Sequence, residues 1–176
     1  MISRVGSHLL FCEPDRILKE IVVERDEHQT ITSIFSLTDA KVETEQTLFF
    51  DGIISLEVVS LMKNLTELQL VEIRKEYNYV DFTVENAEIN LGTEKPLVID
   101  FGTEKSEEIN RTLLQVSHIC VEISLFDFIA ACVYFPALIL RETAVLELTK
   151  PAKLILWEQV DLLNKKLKTN TQLRVI

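Results

Sequence analysis

Glycine is scarce in this chain. Gly6, Gly52, Gly92 and Gly102 are all it has in 176 residues, where average usage of about 7% would supply roughly 12. Loops that cradle phosphates need several residues without a Cβ in close succession, so a phosphate loop or dinucleotide fingerprint is excluded. No Gly-x-Ser-x-Gly occurs, which removes the exposed serine nucleophile of that motif. Histidine is scarcer still: His8, His28 and His118 share no ligand spacing. A hydrolytic zinc site usually draws three protein ligands, commonly histidines, and leaves a fourth position for water. All three histidines are read as incidental: one near a strand start, one in a polar turn, one on a helix beside Ile119.

Cysteine is sparse too. Cys12, Cys120 and Cys132 make an odd count without metal-type pairing, and the last two lie in apolar stretches where a free thiol behaves as a small hydrophobe. They fit buried thiols of a reducing compartment. The longest uncharged apolar run, Phe128 to Leu140, is too short to span a bilayer and contains Pro136. The first residues lack the apolar core of a signal peptide. Basic charge is in deficit: 18 lysines and arginines against 28 acids give a net charge of -10, which disfavours phosphate backbones and anionic lipid. Lys165-Lys166-Leu167-Lys168 is too short to offset it. The expectation is a cytoplasmic, soluble protein with no nucleic-acid and no membrane partner.

What remains is an ordinary globular composition, 47% hydrophobic and 26% charged, enough for one good core. Val5–Cys12, Arg16–Arg25, Thr30–Leu37 and Thr47–Ile54 read as strands separated by short polar turns, the pattern of an antiparallel sheet. Ser60–Glu76 reads as one amphipathic helix. Tyr79–Val84 and Glu88–Leu91 read as strands, and Leu97–Phe101 as a short buried one ending at Gly102-Thr103. Ser106-Glu107-Glu108 opens a helix. Ser124 with Asp127 resembles a capping box for a second, nearly all-apolar helix that Pro136 should bend or break. Ala144–Leu148, Lys153–Trp157 and Leu173–Ile176 return to strands. Sheet, helices, then sheet is the layout of a domain interrupted by an insertion.

Three segments, Thr47 to Val59, Leu97 to Glu104 and Glu147 to Trp157, in that order resemble the amidohydrolase superfamily of metal-dependent hydrolases. The family joins both chain ends in a small β-sandwich and inserts a metal-binding barrel between them. Thr47-Leu48-Phe49-Phe50-Asp51-Gly52-Ile53-Ile54 is similar to the apolar run and Pro-Gly that precede the family's His-x-His strand. Asp51 stands where proline is usual, and the two histidine positions fall on Glu57 and Val59. Leu97 to Glu104 looks like the last barrel strand with its Gly-Thr-Asp, here Gly102-Thr103-Glu104. Glu147 to Trp157 is similar to the closing strands, with Lys153 in place of the usual aspartate. The resemblance implies an α/β fold: residues 1–54 and 144–176 as the composite sandwich, and 55–143 as a truncated insertion. A complete barrel of about 200–250 residues spends roughly 25–31 on each βα unit. Between Ser60 and Ala144 lie fewer than about ninety residues, room for about three units rather than eight.

The chemistry follows from what is missing. With His-x-His absent, the chain reads as a non-catalytic, degenerate relative acting as a binding or structural module, with no catalytic residue, cofactor or metal ligand assigned. The flanks left by a truncated barrel would need cover, so a homodimer is expected. Glu57 and Glu104 form the candidate pocket of the alternative reading, a small hydrolase with a rebuilt carboxylate site. If both segment matches hold, their carboxylates face one mouth and suit a hard cation or acid–base work. A further alternative, an acidic protein-interaction module, rests on net charge alone.

Overall fold

The computed structural model describes residues 2–39, 46–120, 122–142 and 144–176. Strands form where the chain runs apolar between polar turns: β1 (Ser3–Glu13), β2 (Arg16–Arg25), β3 (Ile31–Ser36) and β4 (Thr47–Leu56). Between β2 and β3 the Asp26 carboxylate accepts the N–H groups of His28 and Thr30 at 2.8 and 2.9 Å, closing the turn. From the other end of the chain come β7 (Leu154–Glu158) and β8 (Gln172–Val175). All six join one sheet in the order β3-β2-β1-β4-β7-β8. Every pairing is antiparallel except β1 with β4, which is parallel. The α/β class expected from the sequence holds, and both chain ends build the sheet.

This sheet closes toward itself. Three strands separate β3 from β7, yet the Ile31 N–H donates to the Lys150 carbonyl at 3.0 Å and the Thr149 N–H to the Ile31 carbonyl at 2.8 Å. The Arg25 guanidinium donates to the Ile176 carbonyl at 2.9 Å. One interior holds Val5, Leu10, Ile21, Val23, Ile31, Ile54, Leu154 and Leu156. The other face carries Phe11, Ile53, Ile155 and Trp157, which pack on the helices between β4 and β7. Neighbours in sequence therefore point into different cores, which is why β4 and β7 read as continuous apolar runs rather than alternating ones. Phe128 meets Trp157 edge-on, with centroids 6.1 Å apart.

Between β4 and β7 the chain forms α1 (Leu61–Asn64), α2 (Glu67–Glu76), a parallel pair β5 (Asn78–Asp81) and β6 (Leu97–Asp100), α3 (Ser106–Cys120), α4 (Leu125–Ile129) and α5 (Phe135–Leu140). The single helix expected over Ser60–Glu76 is two. Leu65 is extended, and Thr66 starts α2 with a capping box to Gln69. The strands expected at Glu88–Leu91 and in the described part of Ala144–Leu148 are irregular, and β5 ends at Asp81 rather than Val84. Ser124 makes no side-chain cap; its backbone bridges to Lys166 instead. Pro136 does not break its helix. Between α4 and α5 the chain widens into π-helical turns over Ala130–Tyr134, and Pro136 sits in the first turn of α5, where a missing N–H costs least.

Candidate functional site

β4 delivers Leu56, Glu57, Val58 and Val59 to the C-terminal end of the strand, and a helix carbonyl fixes their path. Pro136 has no N–H to offer the Cys132 carbonyl four residues earlier, and that carbonyl accepts the Val59 N–H at 3.2 Å. Glu57 and Val59, the positions matched to the family's two histidines, both line a cavity of about 160 Å³. Leu56, Val133, Ala137 and Val145 add apolar wall, while Glu142, Glu147, Lys150 and Lys153 bring charge. The Glu57 carboxylate pairs with Lys153 Nζ at 3.1 Å, and Glu147 pairs with Lys150.

Glu104 does not line that cavity. It follows β6 and is held by α1: Lys63 Nζ lies 2.6 Å from one carboxylate oxygen, and the Asn64 amide donates to the other at 3.3 Å. Partial burial pushes the Glu104 carboxyl up, but the bonds from Lys63 and Asn64 outweigh it and hold it below the ordinary carboxylate range. The hydrogen bond to Glu104, followed by its charge, raises Lys63. Lys63 also feels the charge of Glu57, and Glu104 that of Lys153. The two carboxylates therefore share an electrostatic neighbourhood but belong to separate ion pairs.

The residue that organises this region is Asp100, which the sequence reading passed over. It is fully buried at the end of β6. Ser60 Oγ and the Gly102 N–H both donate to Oδ1 at 2.8 Å; the Met62 N–H at 2.6 Å and the Tyr79 hydroxyl at 3.0 Å donate to Oδ2. Four donors match the lone-pair capacity of a carboxylate, which is what allows a charge to be buried there. Gly102 adopts φ +67, a conformation that favours glycine, and a Cβ there would stand 2.4 Å from Thr83 Cγ2. Burial first, then the Asp100 charge, pushes the Tyr79 phenol up. Asp100 thereby fixes the start of α1, and α1 in turn carries Lys63 and Asn64 to Glu104. A lone acid inside Leu97-Val98-Ile99-Asp100-Phe101 was the available signal.

The histidines lie apart from this region. His8 stands 3.6 Å from Asp51 and packs edge-on against Phe49, His28 neighbours Glu27 in the β2–β3 turn, and His118 is exposed on α3. The donors do not fit the metal that the family resemblance implies. Val59 offers no ligand atom, both glutamates are held by lysines, and among the described residues no three His, Cys, Asp or Glu side chains converge on a metal position. The cysteines are all buried; burial pushes Cys120 up to about 12 and Cys132 well above its ordinary value. That is the setting of an inert thiol. No helix among the described residues is long and apolar enough to cross a membrane.

No family model and no curated protein matches this chain. Among solved structures it is similar to Helicobacter pylori aminofutalosine deaminase, at 18% identity over 34% of this chain and 16% of that one, with a TM-score of 0.29. The same enzyme in complex with methylthio-coformycin aligns at 16% identity over 46% of this chain and 20% of that one, with a TM-score of 0.27. The chain thus spans a fifth or less of the length of those enzymes.

Proposed function

We propose that this chain is a non-catalytic binding and structural module, a degenerate relative of the metal-dependent amidohydrolases whose barrel is reduced to a remnant. One observation carries the reading. The two positions matched to His-x-His still line a cavity, but they offer it a lysine-held carboxylate and an isopropyl group. Apolar wall and charged side chains around a space of about 160 Å³ leave room for a molecule of only a few heavy atoms bearing a polar group, below the roughly 300–1,000 Å³ of a pocket for a drug-sized ligand. Metal analysis of purified protein tests the reading. Stoichiometric zinc, manganese or iron that is lost in Glu57→Ala would overturn it. A second copy covering exposed apolar residues of the remnant, Leu68 and Leu114 among them, belongs to the same proposal. A monomer by light scattering at micromolar concentration would sink that part.

A small hydrolase with a rebuilt site around Glu57 and Glu104 is the second reading. The mutual reach of the Lys153–Glu57 and Lys63–Glu104 pairs favours it. Hydrolysis of an amide or cyclic amide panel, abolished by either Glu57→Gln or Glu104→Gln, would establish it over the first.

A further inference from the structure

A second cavity, of about 440 Å³, lies at the start of the parallel strands β5 and β6, whose first residues, Asn78 and Leu97, both line it. It shares no residue with the cavity at Glu57, and it opens at the opposite end of the strand pair from Asp100 and Glu104. Its size falls within the roughly 300–1,000 Å³ of pockets that hold drug-sized molecules. Buried Ile123 and Ala130, with half-buried Leu97 and Phe135, supply apolar lining. Residues 90–96, in the loop between the two strands, form a wall. Asn78 ties that wall to β5: its Nδ2 donates to the Asn90 carbonyl at 2.6 Å, and its N–H to the Pro96 carbonyl at 2.9 Å.

The charge of this lining is one-sided. Glu94, Glu122 and Asp127 stand against a single cation, Lys95, and among the described residues none of these four side chains is in an ion pair or a hydrogen bond. The nearby Lys166 ammonium donates to the Glu122 backbone carbonyl at 3.1 Å and does not line the cavity. Ser124 and Asp127 have the spacing of a capping box, yet Ser124 makes no side-chain cap and both side chains line the cavity instead. The helix start therefore leaves their oxygens free to accept from a ligand. We propose that this cavity binds a small organic cation: an ammonium group carried on an apolar body of aromatic size. The ammonium donates to the Asp127 carboxylate, a charge-assisted bond, while the body rests on Ile123, Ala130 and Phe135. A carboxylate or phosphate on the same body meets uncompensated negative charge.

The test titrates the full chain with tryptamine and, separately, with indole-3-propionate, at neutral pH, and follows backbone amide NMR shifts. The two probes share one ring and one linker and differ in the sign of their charge. Tryptamine should shift the amides of Leu97, Ile123 and Ala130 saturably, and indole-3-propionate should bind about tenfold more weakly or not at all. Asp127→Asn should weaken tryptamine about tenfold. Asp51→Asn removes the same charge from a residue outside the cavity and should leave tryptamine binding unchanged. The idea is overturned if tryptamine gives no saturable shift at those three amides, or if indole-3-propionate binds as tightly. It is equally overturned if Asp51→Asn weakens tryptamine as much as Asp127→Asn does, since attraction to the net charge of the chain would then explain the binding. Should Asp127→Asn fail to fold, Glu94→Gln, in the exposed loop, decides by the same comparison with Asp51→Asn.

Discussion

The Ser60 hydroxyl donates to the Asp100 carboxylate at 2.8 Å, joining the start of α1 to the end of β6 forty positions later. The same hydroxyl accepts the Lys63 N–H at 3.3 Å, so one oxygen both caps α1 and fastens it to the buried acid. Asp100→Ala would leave two hydroxyls and two backbone N–H groups without their acceptor. The expected cost is about 3–5 kcal/mol, since each buried unsatisfied donor costs about 1–3 kcal/mol and some of these will find water. Asp100→Asn should cost less because one acceptor oxygen survives. Chemical denaturation of the two variants measures the difference.

Tyr79 gives the protein an alkaline limit. Burial, then the neighbouring Asp100 charge, raises its phenol above the ordinary value near 10. A group raised in the folded state contributes stability that is complete below its unfolded value and lost as pH rises toward the folded one. Stability should therefore fall above about pH 10, and Tyr79→Phe should remove part of that fall while costing stability at neutral pH. Urea midpoints across pH 8 to 11 for the pair of proteins check this.

The Lys63–Glu104 pair sets the opposite limit. Glu104 is lowered in the fold, so its contribution is present above the unfolded carboxyl value near 4.3 and disappears as pH falls through the folded one. Glu104→Gln should flatten the pH dependence of stability between about pH 5 and 3, and between pH 7 and 8 lower stability by a small, pH-independent amount. Thermal melts over that range read the slope.

Gly52 has a packing reason for being glycine. A Cβ there would lie 2.2 Å from the Trp157 carbonyl oxygen on β7, too close for any rotamer change to relieve. Gly52→Ala should push β4 and β7 apart and destabilise by about 1–3 kcal/mol or more. Loss of the fixed environment of the fully buried Trp157, read by its fluorescence and near-ultraviolet dichroism, is the expected signature.

Much of the sheet was legible because strand chemistry is local: short apolar runs between polar turns placed β1 to β4, β7 and β8 within a residue or two. The return of both chain ends to one sheet came from segment order rather than periodicity. What misled was context. Leu65 and Leu68 keep a helical face across the break, and only the Thr66–Gln69 capping box, a short-range signal that went unweighed, shows that the helix restarts. Pro136 looked like a break because periodicity says nothing about π turns placing it in a first helical turn. Glu57 and Glu104 came from the segments that resemble the amidohydrolases, but their lysine partners stand 96 and 41 positions away, beyond any local pattern. Asp100 was missed for a related reason: three of its four donors, on Ser60, Met62 and Tyr79, stand 21 to 40 positions away.

Under the proposed function Glu57, at the cavity, and Glu104, outside it, are lysine-paired acids that hold no metal. Thermal unfolding titrated with zinc, manganese and magnesium, for wild type and for the Glu57→Gln, Glu104→Gln double variant, tests it most directly. Metal-dependent shifts of about the same size are expected in both proteins. A saturable rise in midpoint seen in wild type and lost in the double variant would contradict it.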